Sequence, residues 1–313
     1  MEGLMRKNRI FIALLLLAFT CLTASPLQAA EKIKVVASFS IIGDLVHQVG
    51  GERVEVVTLI GPNSDAHAFQ PSPSDAKALL GAKLIVINGL GLEGWADRFI
   101  KSAGYKGARL VASRGVKALE AEEDHGHEHG KGKKHAHGRY DPHAWQEVAN
   151  VKVYVANIRD ALIALDPEGK AEYEKRTADY QQKLDALDAE IRTAFAGIPK
   201  AERRVITSHD AFHYYGDTYG IELLAPQGVS GDAEPSARAV ARLIRQIRQE
   251  GIKAIFVENI TNPRLIERIA KETGAVVGGT VYSDALSEPS GPAATYLAMM
   301  RHNTRLLSAA LKR

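Results

Sequence analysis

Short apolar runs alternate with helix-length segments in two separate stretches of this chain, and that alternation leaves few folds open. In the first stretch Lys32–Ala37, Val54–Leu59 and Lys83–Ile87 read as strands, and Ile41–Val49 reads as a helix closed by Gly50-Gly51. In the second, Arg204–Thr207, Ile221–Leu224, Ala254–Val257 and Ala275–Val277 read as strands, with helices near 236–250 and 263–272. Strands separated by helices predict parallel sheets covered by helices, so two α/β lobes are expected.

Between them, Asp166-Pro167-Glu168 caps and starts a helix that runs to Phe195, where Gly197 and Pro199 stop it. Leu184, Leu187, Ile191 and Phe195 recur at three- and four-residue steps and give it one apolar stripe. At 1.5 Å per residue it would span roughly 45 Å, enough to run along both lobes and restrict them to a few degrees of rocking. The expected organisation is a leader over residues 1–30, an N-terminal lobe over 31–150, a helical connection over 151–200 and a C-terminal lobe over 201–313.

The leader is read from Arg6, Lys7 and Arg9, the apolar run Ile10–Phe19, the break at Ser25-Pro26 and the small residues Ala29-Ala30, after which cleavage is expected. The apolar run is short for a membrane span, which takes about 20 residues. Cys21, the only cysteine, lies in this leader, and Phe19 and Thr20 are not the small-residue lead-in of bacterial lipoproteins. The exported chain then has no thiol, so a metal site must be built from His, Asp and Glu. The leader carries three basic residues and one acidic, so its removal takes the formal charge from +3 to +1. Near neutrality argues against a nucleic-acid partner. An exported, soluble protein is expected.

Histidines then carry the chemistry. His125, His127, His129, His135 and His137 fall within thirteen residues of a Gly- and Lys-rich segment, 124–137, that has no large apolar residue. Such a tract reads either as a plain linker or as a secondary, weaker site for borderline metals. Elsewhere His67 follows the second strand, His209 follows Arg204–Thr207, and Asp284 follows the last strand of the second lobe. His143 comes after Asp141-Pro142 at a helix start, where Asp141 could cap the helix or orient the imidazole. Ser208 reads as the cap of a helix beginning at His209, and Ser72-Pro73-Ser74-Asp75 as a capping box. Singly, each candidate is as readily a surface residue or cap. Together they place two in each lobe on loops facing one cleft, where open α/β sheets bind ligands. Three imidazoles and a carboxylate suit tetrahedral Zn²⁺. His47 and His302 are expected on helix surfaces. His213, four residues after His209, could chelate with it if both share a helix face, and Glu258 is read as strand-end solvation or as a hydrogen-bond partner of the site.

Asp65-Ala66-His67-Ala68-Phe69-Gln70-Pro71-Ser72-Pro73, Asp141-Pro142-His143-Ala144-Trp145, Thr207-Ser208-His209-Asp210-Ala211-Phe212 and Tyr282-Ser283-Asp284-Ala285-Leu286 resemble, in order and across nearly the whole chain, the ZnuA/TroA-like metal-binding proteins of bacterial ABC importers. The resemblance implies ligands at His67, His143, His209 and Asp284, Zn²⁺ as the transported ion, and an inner-membrane ABC permease as partner. It also implies a periplasmic monomer, and a periplasmic zinc metallochaperone is a further partner it admits. The His-rich insertion and the Ser-His-Asp-Ala-Phe wording are similar to the zinc-specific, AztC-like branch; manganese relatives usually carry Glu at the position of His209. A cysteine pair that some zinc members use is absent. The expectation is a non-enzymatic zinc carrier. The alternatives are a manganese- or iron-binding homologue, a zinc-dependent hydrolase (for which no His-Glu-x-x-His or Gly-x-Ser-x-Gly motif is present), and a metal buffer or adhesin.

Overall fold

The structure is a computed structural model that describes residues 31–121, 139–229 and 235–312. The expected leader with Cys21 and the His-rich segment 124–137 lie outside the described residues.

The first sheet holds β1 (Ile33–Phe39), β2 (Val54–Ile60), β3 (Leu84–Ile87) and β4 (Ala108–Val111) in the order β2-β1-β3-β4, all parallel. The second holds β5 (Arg204–Ile206), β6 (Glu222–Leu224), β7 (Ala254–Glu258) and β8 (Val276–Val281) in the order β6-β5-β7-β8, again all parallel. In each sheet the chain leaves its first strand to one side and returns to the other. That reversal opens a crevice at the carboxyl ends of the strands, the usual ligand position in such sheets.

Helices cover both sheets. In the first lobe they are α1 (Ser40–Gly50), α2 (Pro73–Leu80) and α3 (Ala96–Ala103), followed by α4 (Val148–Leu165). The bridging helix enters through a 3-10 turn at Pro167–Gly169 and continues as α5 (Lys170–Ala196). Its stripe of Leu184, Leu187, Ile191 and Phe195 is fully buried, as the periodicity predicts. Asp166 secures the entry: its carboxylate accepts from Gly169 N, from Arg53 Nε at 2.7 Å and from Tyr173 Oη at 2.8 Å. The second lobe carries α6 (His213–Tyr219), α7 (Ala237–Glu250), α8 (Arg264–Thr273) and α9 (Tyr296–Leu311).

One apolar core runs without a break from the first sheet through α4 and α5 to Tyr214, Phe256 and Met300 in the second lobe. A smaller core, with Ile206, Leu243, Ile255 and Ile266, lies under α7 and α8 alone. Wide separation of the lobes would expose the shared core, at about 25 cal/mol per Å² of apolar surface.

Three local expectations differ from the structure. β4 is a fourth strand that the sequence pattern does not reveal. β8 continues past Val277, where the expected strand ends, through Gly278-Gly279; there the register shifts against β7 and Gly279 takes φ +124°, a glycine bulge. Finally, α6 begins at His213, not His209, with no side-chain cap from Phe212, so Ser208 caps no helix.

Candidate metal centre

Each of the four candidate side chains hangs on a loop at a strand's carboxyl end or on the segment leading into α4. His67 lies between β2 and α2. The Asp65 carboxylate accepts from His67 N at 2.8 Å, and the capping box of Ser72 and Asp75 closes the loop onto α2. Asn63, at φ +52°, joins this loop to the other lobe: its N–H donates to Leu286 O at 3.0 Å and its Oδ1 accepts from Asn259 Nδ2 at 3.1 Å.

His143 is fully buried and ends the Asp141-Pro142 segment. Asp141 Oδ1 accepts from its backbone N–H at 2.9 Å and from Nδ1 at 2.7 Å. Of the two roles open to Asp141, the structure has it orienting the imidazole. A proton held on Nδ1 turns Nε2 toward the cleft.

Glu258 holds His209 through hydrogen bonds to the backbone and an ion-pair contact with the ring. Glu258 Oε2 lies 2.5 Å from His209 Nδ1, while Oε1 accepts from the backbone N–H groups of Ser208 and His209 at 2.7 and 2.8 Å. Ser208 Oγ in turn accepts from Glu258 N. Glu258 is 1 % exposed, so strand-end solvation does not describe it. Asp284, also fully buried, sits on a loop gripped from outside its own sheet. The Ser283 carbonyl accepts from Trp145 Nε1 and Gln146 Nε2, both at 2.9 Å, and Leu286 N donates to Ser40 Oγ.

These loops bring four ligand-type atoms within 4.8 Å of one another, one each from His67, His143, His209 and Asp284. Asp284 Oδ2 lies 3.3 Å from His67 Nε2 and 3.2 Å from His209 Nε2, and Oδ1 lies 3.5 Å from His143 Nε2. The Nε2 atoms of His67 and His143 are 3.3 Å apart. Neither oxygen of Asp284 makes a hydrogen bond among the described residues. A buried carboxylate without donors is costly, and a cation at the focus of the three imidazoles would satisfy it. The donor set of three nitrogens and one carboxylate can hold a four-coordinate divalent ion.

The fields within the cluster are strong. Burial works to lower the His143 pKa, but the carboxylates of Asp284 and Asp141 outweigh it and raise it to about 9. For His209 burial is likewise overcome by Glu258 and Asp284, and its pKa stands well above the ordinary value. Burial would raise Asp284, yet His143 and His209 hold it well below the usual carboxylate range. Without metal, the His143 imidazole therefore keeps its proton up to about pH 9 and His209 holds its own above the ordinary range, and an entering cation must displace them. Affinity should accordingly rise with pH between 6 and 9, by about tenfold per unit for each proton released. This moves the expected loss of binding well above the pKa of about 6.5 of free histidine. Titration in buffers of differing ionisation enthalpy checks it; affinity that is flat from pH 7 to 9, with no proton release, would contradict it.

The other histidines among the described residues lie apart. His213 opens α6 with Nδ1 3.8 Å from Asp141 Oδ2, and His209 is not on that helix, so the shared helical face needed for chelation is absent. His47 is exposed on α1, and His302 Nε2 on α9 lies 3.0 Å from Thr280 O. Around the segment 124–137 the described ends meet: Glu120 and Tyr140 form an antiparallel bridge, and Ala121 N donates to Arg139 O. The grip of Trp145 and Gln146 on the Ser283 carbonyl has almost no signature in the sequence. The aromatic after Asp141-Pro142-His143-Ala144 was the only available sign.

Against known proteins, the family profile described as "Zinc-uptake complex component A periplasmic", ZnuA, matches residues 35–310. The chain is 32 % identical over 273 residues to the manganese-binding lipoprotein MntA of Halalkalibacterium halodurans, covering 87 % of this chain and 86 % of that protein. It is 31 % identical over 276 residues to the iron-binding protein YfeA of Yersinia pestis, with 88 % and 85 % covered. The solved structure of the periplasmic zinc-binding protein TroA from Treponema pallidum superposes with a TM-score of 0.81 at 31 % identity, over 90 % of this chain and all of that one. With a profile match across nearly its whole described length and relatives above 30 % identity, the chain belongs to the ZnuA family of metal-binding components of ABC importers.

Proposed function

We propose that the cluster of His67, His143, His209 and Asp284 is the cargo site of a periplasmic carrier that captures a divalent transition-metal cation and delivers it to an ABC permease. Membership of the family supports the permease partnership and the periplasmic setting, and places the chain in a transport class, not among enzymes. The observation that carries the site is the buried Asp284 carboxylate, bare of hydrogen bonds among the described residues and faced by three imidazoles.

For the identity of the cargo, two lines of support point apart. The donor chemistry favours zinc, since three nitrogens and one oxygen match a borderline tetrahedral ion better than a hard octahedral one. The names of the relatives weigh toward the manganese and iron alternative, because MntA is a manganese-binding and YfeA an iron-binding protein. TroA, named for zinc, stands on the other side. A monomer that a metallochaperone could load fits either cargo.

Competition titration of the purified protein with Zn²⁺ and Mn²⁺ decides between them. On the donor argument Zn²⁺ binds more tightly, and His209→Glu narrows the gap by replacing a nitrogen with a harder oxygen. Tighter Mn²⁺ binding by the unaltered protein would assign it to the manganese alternative. Binding of neither ion, together with no loss of metal-limited growth on deletion, would remove the carrier reading.

A further inference from the structure

Three strand ends or their loops supply members of the cluster, but the end of β3, which opens on the same crevice, supplies none. What it carries is Asn88, fully buried and bonded through every polar part. Its side-chain Nδ2 donates to the Pro142 carbonyl at 2.9 Å, its Oδ1 accepts from Tyr154 Oη at 2.6 Å, and its own carbonyl accepts from Ser113 Oγ at 2.7 Å. Its N–H donates to Glu93 Oε1 at 2.7 Å, and the next N–H, of Gly89, to Glu93 Oε2 at 3.0 Å. Tyr154 is fully buried and Glu93 is 8 % exposed.

The chain bends sharply to reach this arrangement. Gly89, Leu90 and Gly91 take φ values of +89°, +55° and +93°, so three successive residues are left-handed, one of them with a side chain. A non-glycine residue held there is uncommon and persists only when its surroundings enforce it. Here the enforcement is the Glu93 carboxylate, which gathers the two N–H groups ahead of the bend. Asn88 is thereby fixed against the one carbonyl that directly precedes His143.

We propose that Asn88 is a positioning residue for the metal centre, holding the Pro142 carbonyl and through it the direction of the His143 imidazole. Asp141 fixes the ring's rotation, and Asn88 fixes the backbone that carries the ring. The inference rests on the carrier reading of the cluster. Groups that orient a ligand typically contribute ten- to a hundredfold in metal affinity. Acting one bond further out, Asn88 should contribute about five- to tenfold.

Co²⁺ is a suitable probe, since its visible absorption reports ligand geometry while competition titration reports affinity. Asn88→Ala is expected to weaken Co²⁺ binding by about five- to tenfold and to alter the visible bands. Tyr154→Phe keeps the ring's packing and deletes only the bond to Asn88 Oδ1, so it should give the same changes in milder form. It decides the matter if Asn88→Ala does not fold. Tyr215→Phe is the control: it deletes another buried hydroxyl, bonded to Thr304 Oγ1 at 2.8 Å, and should lower thermal stability while leaving affinity and spectrum unchanged. Wild-type affinity and spectrum in the folded Asn88 and Tyr154 variants would overturn the positioning role alone, as would equal changes in Tyr215→Phe. Failure of the unaltered protein to bind Co²⁺, Zn²⁺ or Mn²⁺ would overturn the carrier reading and this role with it.

Discussion

Alanine in place of His143 is expected to weaken binding of the cargo ion by at least about tenfold, or roughly 1.4 kcal/mol. In the proposed site His143 is one of four donors and is fully buried, so no water-filled surface is at hand to replace it. The change also strips Asp141, 1 % exposed, of the Nδ1 donor at 2.7 Å, leaving a buried carboxylate that retains only its backbone bond to residue 143 and the distant His213. The metal-free protein should therefore lose thermal stability as well. His67→Ala and His209→Ala should weaken binding to at least a similar degree, and chelator competition checks all three. Unchanged affinity throughout the series would remove the proposed site.

Glu258 should give the second large effect, though it would touch no metal. Alanine there removes the acceptor of two buried N–H groups and the partner of His209 Nδ1. Breaking a buried pair of this kind costs about 3–5 kcal/mol of folding stability. Glutamine separates the two roles. Its carbonyl oxygen can still accept from Ser208 N and His209 N, but its amide then presents a donor toward His209 Nδ1–H. The imidazole must give up that tautomer or turn. Glu258→Gln is thus expected to unfold within a few degrees of the unaltered protein, yet to bind metal about tenfold or more weakly. Thermal unfolding and competition titration on one preparation read both. A glutamine variant with unaltered affinity would mean that Glu258 serves the fold only.

The sequence is a good guide to what side-chain periodicity controls and a poor one to where backbone groups find partners. Seven of the eight strands among the described residues are legible because each lies in a short, largely apolar run, and the stripe on α5 because burial repeats every three or four residues. β4 escapes notice: Ala108–Val111 is four residues long, and its first two are exposed, so no pattern marks it. His67, His143, His209 and Asp284 can be picked out because imidazole and carboxylate groups at strand ends are conspicuous by type. Glu258 is legible only as one of two readings, from its place after the strand Ala254–Val257, and Asn88 is not legible at all, since their bonds run to N–H groups and a carbonyl far away in sequence. Ser208 misleads for a related reason. A serine before a histidine reads as a helix cap, but its hydroxyl is committed across the sheet to Glu258 N. In each case the fold, not the local residue pattern, determines the partner.

The measurement closest to the central claim is X-ray absorption at the metal edge of the protein loaded with one equivalent of Zn²⁺. The cluster predicts three imidazole nitrogens and one carboxylate oxygen at about 2.0–2.2 Å. That spectrum should persist when residues 124–137 are deleted and change when His143 is replaced by alanine. An all-imidazole shell that vanishes on deletion of 124–137 and ignores His143→Ala would contradict the account, placing the tightly bound ion on the His-rich segment and not between the lobes.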